Sequence, residues 1–129
     1  MGQKVKVRKF WVDGVEKISQ SDTSNYDHHG LVIGSAYASS IELLGNISNF
    51  RFVNGTCLYT SAFIPPTQPL TNITNTKLLC CQGSSTTSAT VIPSGSSITA
   101  TGNPTASSDS PFDDPAAFVF GENGDQGII

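Results

Sequence analysis

Charge is scarce in this sequence. Asp, Glu, Lys and Arg make up 13% of its 129 residues, about half the share of an ordinary globular domain. Surface helices keep their outer faces in water with charged and polar side chains, so little material exists for amphipathic helices. Ser, Thr, Asn and Gly fill the gap. The first three compete for backbone hydrogen bonds and glycine carries an entropic cost, which disfavours helix and suits strands and turns. Long apolar runs are also missing. None approaches the roughly 20 residues of a membrane-spanning helix, so no membrane insertion is expected. The start, MGQKVKVRKFWVDG, has no apolar stretch behind its basic residues, and no signal peptide is expected there. Basic residues are few: Lys4, Lys6, Arg8 and Lys9 cluster near the start, and beyond Lys17 only Arg51 and Lys77 follow. With a net charge of -3 and no basic stripe interleaved with aromatics, no nucleic-acid partner is expected.

Metal-binding and redox residues are sparse too. The two histidines, His28 and His29, are adjacent, and neighbours in an extended chain point apart. With no third histidine, a zinc site is not expected. Three cysteines, Cys57, Cys80 and Cys81, leave one over whatever pairs. On a regular strand Cys80 and Cys81 face opposite ways, so they are expected neither to pair nor to share a metal, but to pack as small apolar side chains. A disulfide from Cys57 to either remains open.

What is present is strand and turn. In "FWVDGVEKI" two β-rich runs meet at Asp13-Gly14, the strongest short hairpin signal. Trp11 is expected in the core. Leu31-Val32-Ile33 reads as a short buried strand ending at Gly34, and "SAYASSIELL" as an irregular crossing. "NISNFRF" alternates, placing Phe50 and Phe52 together on what should be the core face. "VNGT" supplies a turn. "LYTSAFIPPTQPL" cannot be helical, because Pro65, Pro66 and Pro69 fix φ and remove donors; it should wrap the surface in extended form with Leu58, Tyr59 and Phe63 tucked inward. "TKLLCCQ" reads as a buried strand. "ATVIP" and "SSITATG" read as two more strands around a Ser94-Gly95 turn. "NPTASSDSPFDDPAA" is linker-like, and a strand restarts at Phe118 to Phe120. Closely spaced strands without a helix predict a β-sandwich or jelly roll.

The segments "DTSNY", "LVIG", "GNISNFRFVNGTCLYTSAFIPPTQPLT" and "NTKLLCCQ" carry a family resemblance. They resemble the concanavalin A-like, laminin-G-like domains of marine and cyanobacterial phage structural proteins. The matching positions are Gly45, Ile47, Ser48, Asn49, Arg51, Gly55, Thr56, Leu58, Tyr59, Thr60, Ser61, Phe63, Pro65, Pro66, Thr67, Asn75, Thr76, Leu78 and Leu79. The resemblance covers about Phe10 to Phe112 and only the C-terminal half of that domain. It implies an all-β, concanavalin A-like jelly-roll β-sandwich that is partial, with N-terminal strands missing. It divides the chain into sandwich (1–102), a Pro/Ser/Asp-rich linker (103–117) and the truncated start of a following module (118–129). It also implies a piece of a longer polypeptide, placed in a virion tail or fibre and extracellular when active. Other copies, or the remainder of a fibre-type protein, become its expected partners.

Hydrolysis needs two positioned carboxylates. Asp13 sits in a turn, Asp109, Asp113 and Asp114 lie in the linker, and Asp22, Asp27 and Glu42 form no motif. A degenerate glycan hydrolase is therefore the remotest of three functional classes. The first class is a non-enzymatic module binding a host-surface glycan. For it the candidate residues are Tyr26, Asp27, His28 and Tyr37, an aromatic and polar set suited to sugar hydroxyls and C–H faces. The second is a spacer or decoration module with no ligand. Laminin-G-like domains often bind calcium through loop oxygens, and the resemblance makes Asp22, Asn25 and Asp27 the candidate ligands.

Overall fold

The computed structural model describes residues 6–24, 30–36, 41–112, 122–123 and 125–126. Among the described residues every regular element is a strand, so the all-β expectation holds. β1 (Lys6–Val12) and β2 (Val15–Asp22) form an antiparallel hairpin. Asp13 and Gly14 both have positive φ, 52° and 80°, as a two-residue type I′ turn requires. A register shift between Phe10 and Trp11 leaves Lys17 without an opposite residue. β3 (Ser35–Ala36) and β4 (Ile41–Glu42) are short and pair with each other, so these four residues form strand where the sequence suggests an irregular crossing. β5 (Phe50–Val53), β6 (Thr76–Cys80) and β7 (Ala89–Val91) form a three-stranded antiparallel sheet with β6 in the centre. β8 (Glu122–Asn123) and β9 (Asp125–Gln126) form a separate pair.

The central strand holds what core there is. Leu79 and Cys80 are the buried hydrophobic side chains among the described residues. Cross-strand partners share a sheet face. Leu79 lies opposite Arg51 and Val91, and Cys80 opposite Phe50 and Ala89, so each face of the sheet contributes one buried residue.

Several expectations fail for one shared reason: local apolarity does not supply a covering layer. Phe50 is half-buried and Phe52 is 46% exposed, so the face they share is not a closed core. Trp11 is half-buried too. Leu31 and Val32 are exposed and belong to no strand. Tyr59 and Phe63 are half-buried as expected, but Leu58 is exposed. The turn at Ser94-Gly95 forms, with the Ser96 N–H donating to the Pro93 carbonyl at 3.0 Å; the strand expected after it does not. Segment 103–112 is exposed and without strand, except for half-buried Phe112. It touches the body where Asn46 Nδ2 donates to Asp109 Oδ2 at 3.2 Å. The strand expected at 118–120 lies outside the described residues.

Polar side chains in or flanking β5 and β6 act as fasteners. Asn49, at φ 57°, accepts through Oδ1 from the Leu70 N–H (2.9 Å) and from Gln82 Nε2 (2.7 Å). Gln82 Nε2 also donates to the Leu70 carbonyl, and Gln82 Oε1 accepts from the Thr90 hydroxyl. Arg51 Nη1 donates to the Thr71 carbonyl at 2.9 Å. The extended proline-rich segment is thereby tied to β5 and to the residues after β6. The second fastener is Asn75, whose carbonyl accepts from Asn54 N–H (3.0 Å) while its Nδ2 donates to the Thr56 hydroxyl (2.9 Å).

Candidate functional site

Of the sequence candidates, Asn25, Tyr26, Asp27, His28 and Tyr37 lie outside the described residues. Asp22 ends β2 and its side chain is almost fully buried. Its Oδ2 is 3.0 Å from Arg8 Nε, and its Oδ1 accepts the Ser24 N–H at 2.9 Å. Arg8 also donates from Nη2 to Gln20 Oε1. A cation at Asp22 would therefore compete with a guanidinium already in place.

A different group of side chains converges at the hairpin tip. The Phe63 N–H donates to the Gly14 carbonyl at 3.0 Å. The backbones approach so closely that a Cβ on Gly14 would lie 1.7 Å from the Phe63 oxygen; only glycine permits both this contact and φ 80°. That docking sets Phe63 against Trp11, ring centroids 5.8 Å apart and tilted by 60°. Tyr59 stacks on Phe63 at 3.7 Å and 13°. Lys9 completes the row: its Nζ stands 5.7 Å from the Trp11 ring centroid and 2.8 Å from Glu16 Oε2. The result is a half-buried aromatic row, Trp11–Phe63–Tyr59, bordered by a paired lysine and glutamate. The sequence places an aromatic platform at Tyr26 and Tyr37 instead. Trp11 and Phe63 lie 52 positions apart, and no periodicity joins them; the one local signal is the glycine of the Asp-Gly turn.

Two concavities are lined by described residues, the first of them sharing Lys9 with the row. A depression of about 390 Å³ on the hairpin is lined by Arg8, Lys9, Phe10, Ile18 and Gln20. A smaller cleft of about 160 Å³ borders β6 and β7, lined by Cys80, Gln82, Gly83, Ser88, Ala89 and Thr90.

The cysteines correct the sequence reading. Cys80 and Cys81 do not point apart: their Sγ atoms are 3.7 Å from each other. The cause is the φ of 62° at Cys81, which breaks the alternation of a regular strand. Burial first, then the hydrogen bond and charge of Cys81, push the Cys80 thiol up to about 11. Cys57 is exposed and, like the other two, free.

No protein-family model, no curated protein and no solved structure matches the chain.

Proposed function

We propose that this chain is a non-enzymatic β-module of a phage tail or fibre, with the concanavalin A-like jelly roll completed by further strands supplied from other copies or from the rest of a fibre-type protein. The observation that carries the proposal is the imbalance between strands and core. Against two buried hydrophobic side chains stand fourteen large hydrophobic residues exposed among the described residues, Phe10, Ile18, Ile41 and Phe52 included. Single exposed apolar residues are ordinary on a folded surface, but so many of them against so small a core leave apolar side chains for a partner to cover. The resemblance to phage structural domains supports the same reading, because its signature residues Asn49, Arg51 and Asn75 act as architectural fasteners. That role suits a repeated building module.

Within this reading the module recognises carbohydrate on the host surface through weak contacts made effective by repetition, since linked copies raise the effective concentration of each successive contact. The Trp11–Phe63–Tyr59 row supports it. Aromatic faces stack on the C–H faces of sugars, and Lys9 and Glu16 stand ready for hydroxyls. The alternative is a spacer that binds no ligand, favoured by the extent of exposed apolar surface. A multivalent display of the chain on a glycan array separates the two. Carbohydrate recognition predicts retention of a subset of glycans, with at least a tenfold loss for Tyr59→Ala; retention of none, at a display density where a control lectin binds, leaves the spacer.

A further inference from the structure

The turn that brings the two cysteines together is held from outside the pair. The Cys81 carbonyl accepts the Asn49 N–H at 2.9 Å, and the next side chain, Gln82, is fixed by Asn49 and the Leu70 carbonyl. The 3.7 Å separation of the sulfurs is thus built into the fastening of the strand. Access is graded: Cys81 is half-buried, while Cys80 is 2% exposed and lines the 160 Å³ cleft. Cys57 stands apart, its Sγ 3.3 Å from the Tyr59 carbonyl oxygen.

We propose that Cys80 and Cys81 form a vicinal dithiol that exchanges with a small-molecule disulfide and closes to a Cys80–Cys81 disulfide. This inference is independent of the proposed function. In the first step the Cys81 thiolate attacks one sulfur of the small disulfide. That S–S bond breaks, a Cys81 mixed disulfide forms, and one small thiolate leaves and takes a proton from water. In the second step the Cys80 thiol gives its proton to water and its thiolate attacks the Cys81 sulfur. The mixed disulfide breaks and the second small thiol is released. The two cysteines lose two electrons and two protons, and the small disulfide, reduced to two thiols, takes them up. Burial, and after it the hydrogen bond and charge of Cys81, hold the Cys80 proton in place; the mixed disulfide removes the two contributions of Cys81 and leaves that of burial.

Closure brings the sulfurs from 3.7 Å to about 2.05 Å. Adjacent Cα atoms are only about 3.8 Å apart across a trans peptide, short of the 4.4–6.8 Å that bridges usually span. The ring is therefore strained, and a strained disulfide is readily reduced. The pair is a reversible site, not a permanent staple.

The test uses the full chain carrying Cys57→Ser, treated with oxidised glutathione, quenched with an alkylating reagent and weighed intact and as peptides. The expected result is a loss of two hydrogens in the peptide holding residues 80 and 81, no retained glutathione, and full reversal by reduced glutathione. Before oxidation the same chain should bind phenylarsine oxide, which condenses with both thiols and releases one water; this reading requires no further variant. Adding Cys80→Ser should abolish arsenical binding and leave glutathione trapped on Cys81. A stable glutathione adduct on Cys81 with Cys80 present, alkylation of both thiols after oxidant treatment, or no arsenical binding would overturn the proposal.

Discussion

At the scale of single residues, Gly14 and Cys80 carry the most specific consequences. Gly14→Ala places a methyl group where the Phe63 carbonyl oxygen now sits. It also imposes left-handed geometry on an alanine, worth about 1–2 kcal/mol before the steric clash is added. The segment around Phe63 must move away, so the variant should lose more than about 2 kcal/mol in denaturant unfolding. Its fluorescence should shift as well, because Trp11 is the single tryptophan of the chain and Phe63 is its aromatic neighbour. Unchanged stability together with an unchanged spectrum would remove the docking of residue 63 on the turn. Cys80 makes a prediction in pH. Its thiol is raised from 9.0 to about 11 in the folded chain, so the fold holds a proton that the unfolded chain releases earlier. The resulting stability is fully present below about pH 9 and is lost as pH rises through 11. The unfolding midpoint should fall across that window, and Cys80→Ala should flatten the fall whatever its effect on absolute stability.

At the scale of elements, the strap made by residues 70–71 tests the fastener reading. Asn49 accepts two hydrogen bonds, and Gln82 links three partners. Leaving such groups unpaired costs about 1–3 kcal/mol. Asn49→Ala and Gln82→Ala should each destabilise by about that much. The double variant should lose clearly less than the sum, since the residues bond to each other; strict additivity would place them in separate networks. The same scale shows what could be read from sequence. The β1–β2 hairpin was legible because Asp13-Gly14 is a local signal whose two positive φ values belong to one turn type. β6 was legible as an apolar run. The run at Leu31 to Ile33 was equally apolar, but a strand needs a partner, and the sequence does not say where one lies. Alternation in "NISNFRF" sorted Phe50 from Arg51 correctly by face, yet it cannot say that Leu79 is buried on the arginine side. The cysteine pair was misread because one positive φ, fixed within a long-range network, reverses the strand rule. The aromatic row was invisible for a related cause: it depends on two backbones meeting at Gly14.

At the scale of the whole molecule, the exposed apolar surface dominates. Fourteen large hydrophobic residues stand exposed among the described residues, and a standard interface removes about 800 Å² from each partner. An isolated copy should expose its two-stranded hairpin along both edges, a geometry that invites pairing with another chain. If strands from elsewhere complete the module, stability belongs to the assembly and follows mass action. The most direct measurement is thermal unfolding of the purified chain over a hundredfold range of concentration, with its mass followed by sedimentation equilibrium. Completion by other copies predicts a mass that is a multiple of the chain and an unfolding midpoint that climbs with concentration. Completion by the remainder of a longer protein predicts a poorly cooperative monomer that sharpens only when those strands are added. A monomer with a sharp, concentration-independent transition would contradict the account.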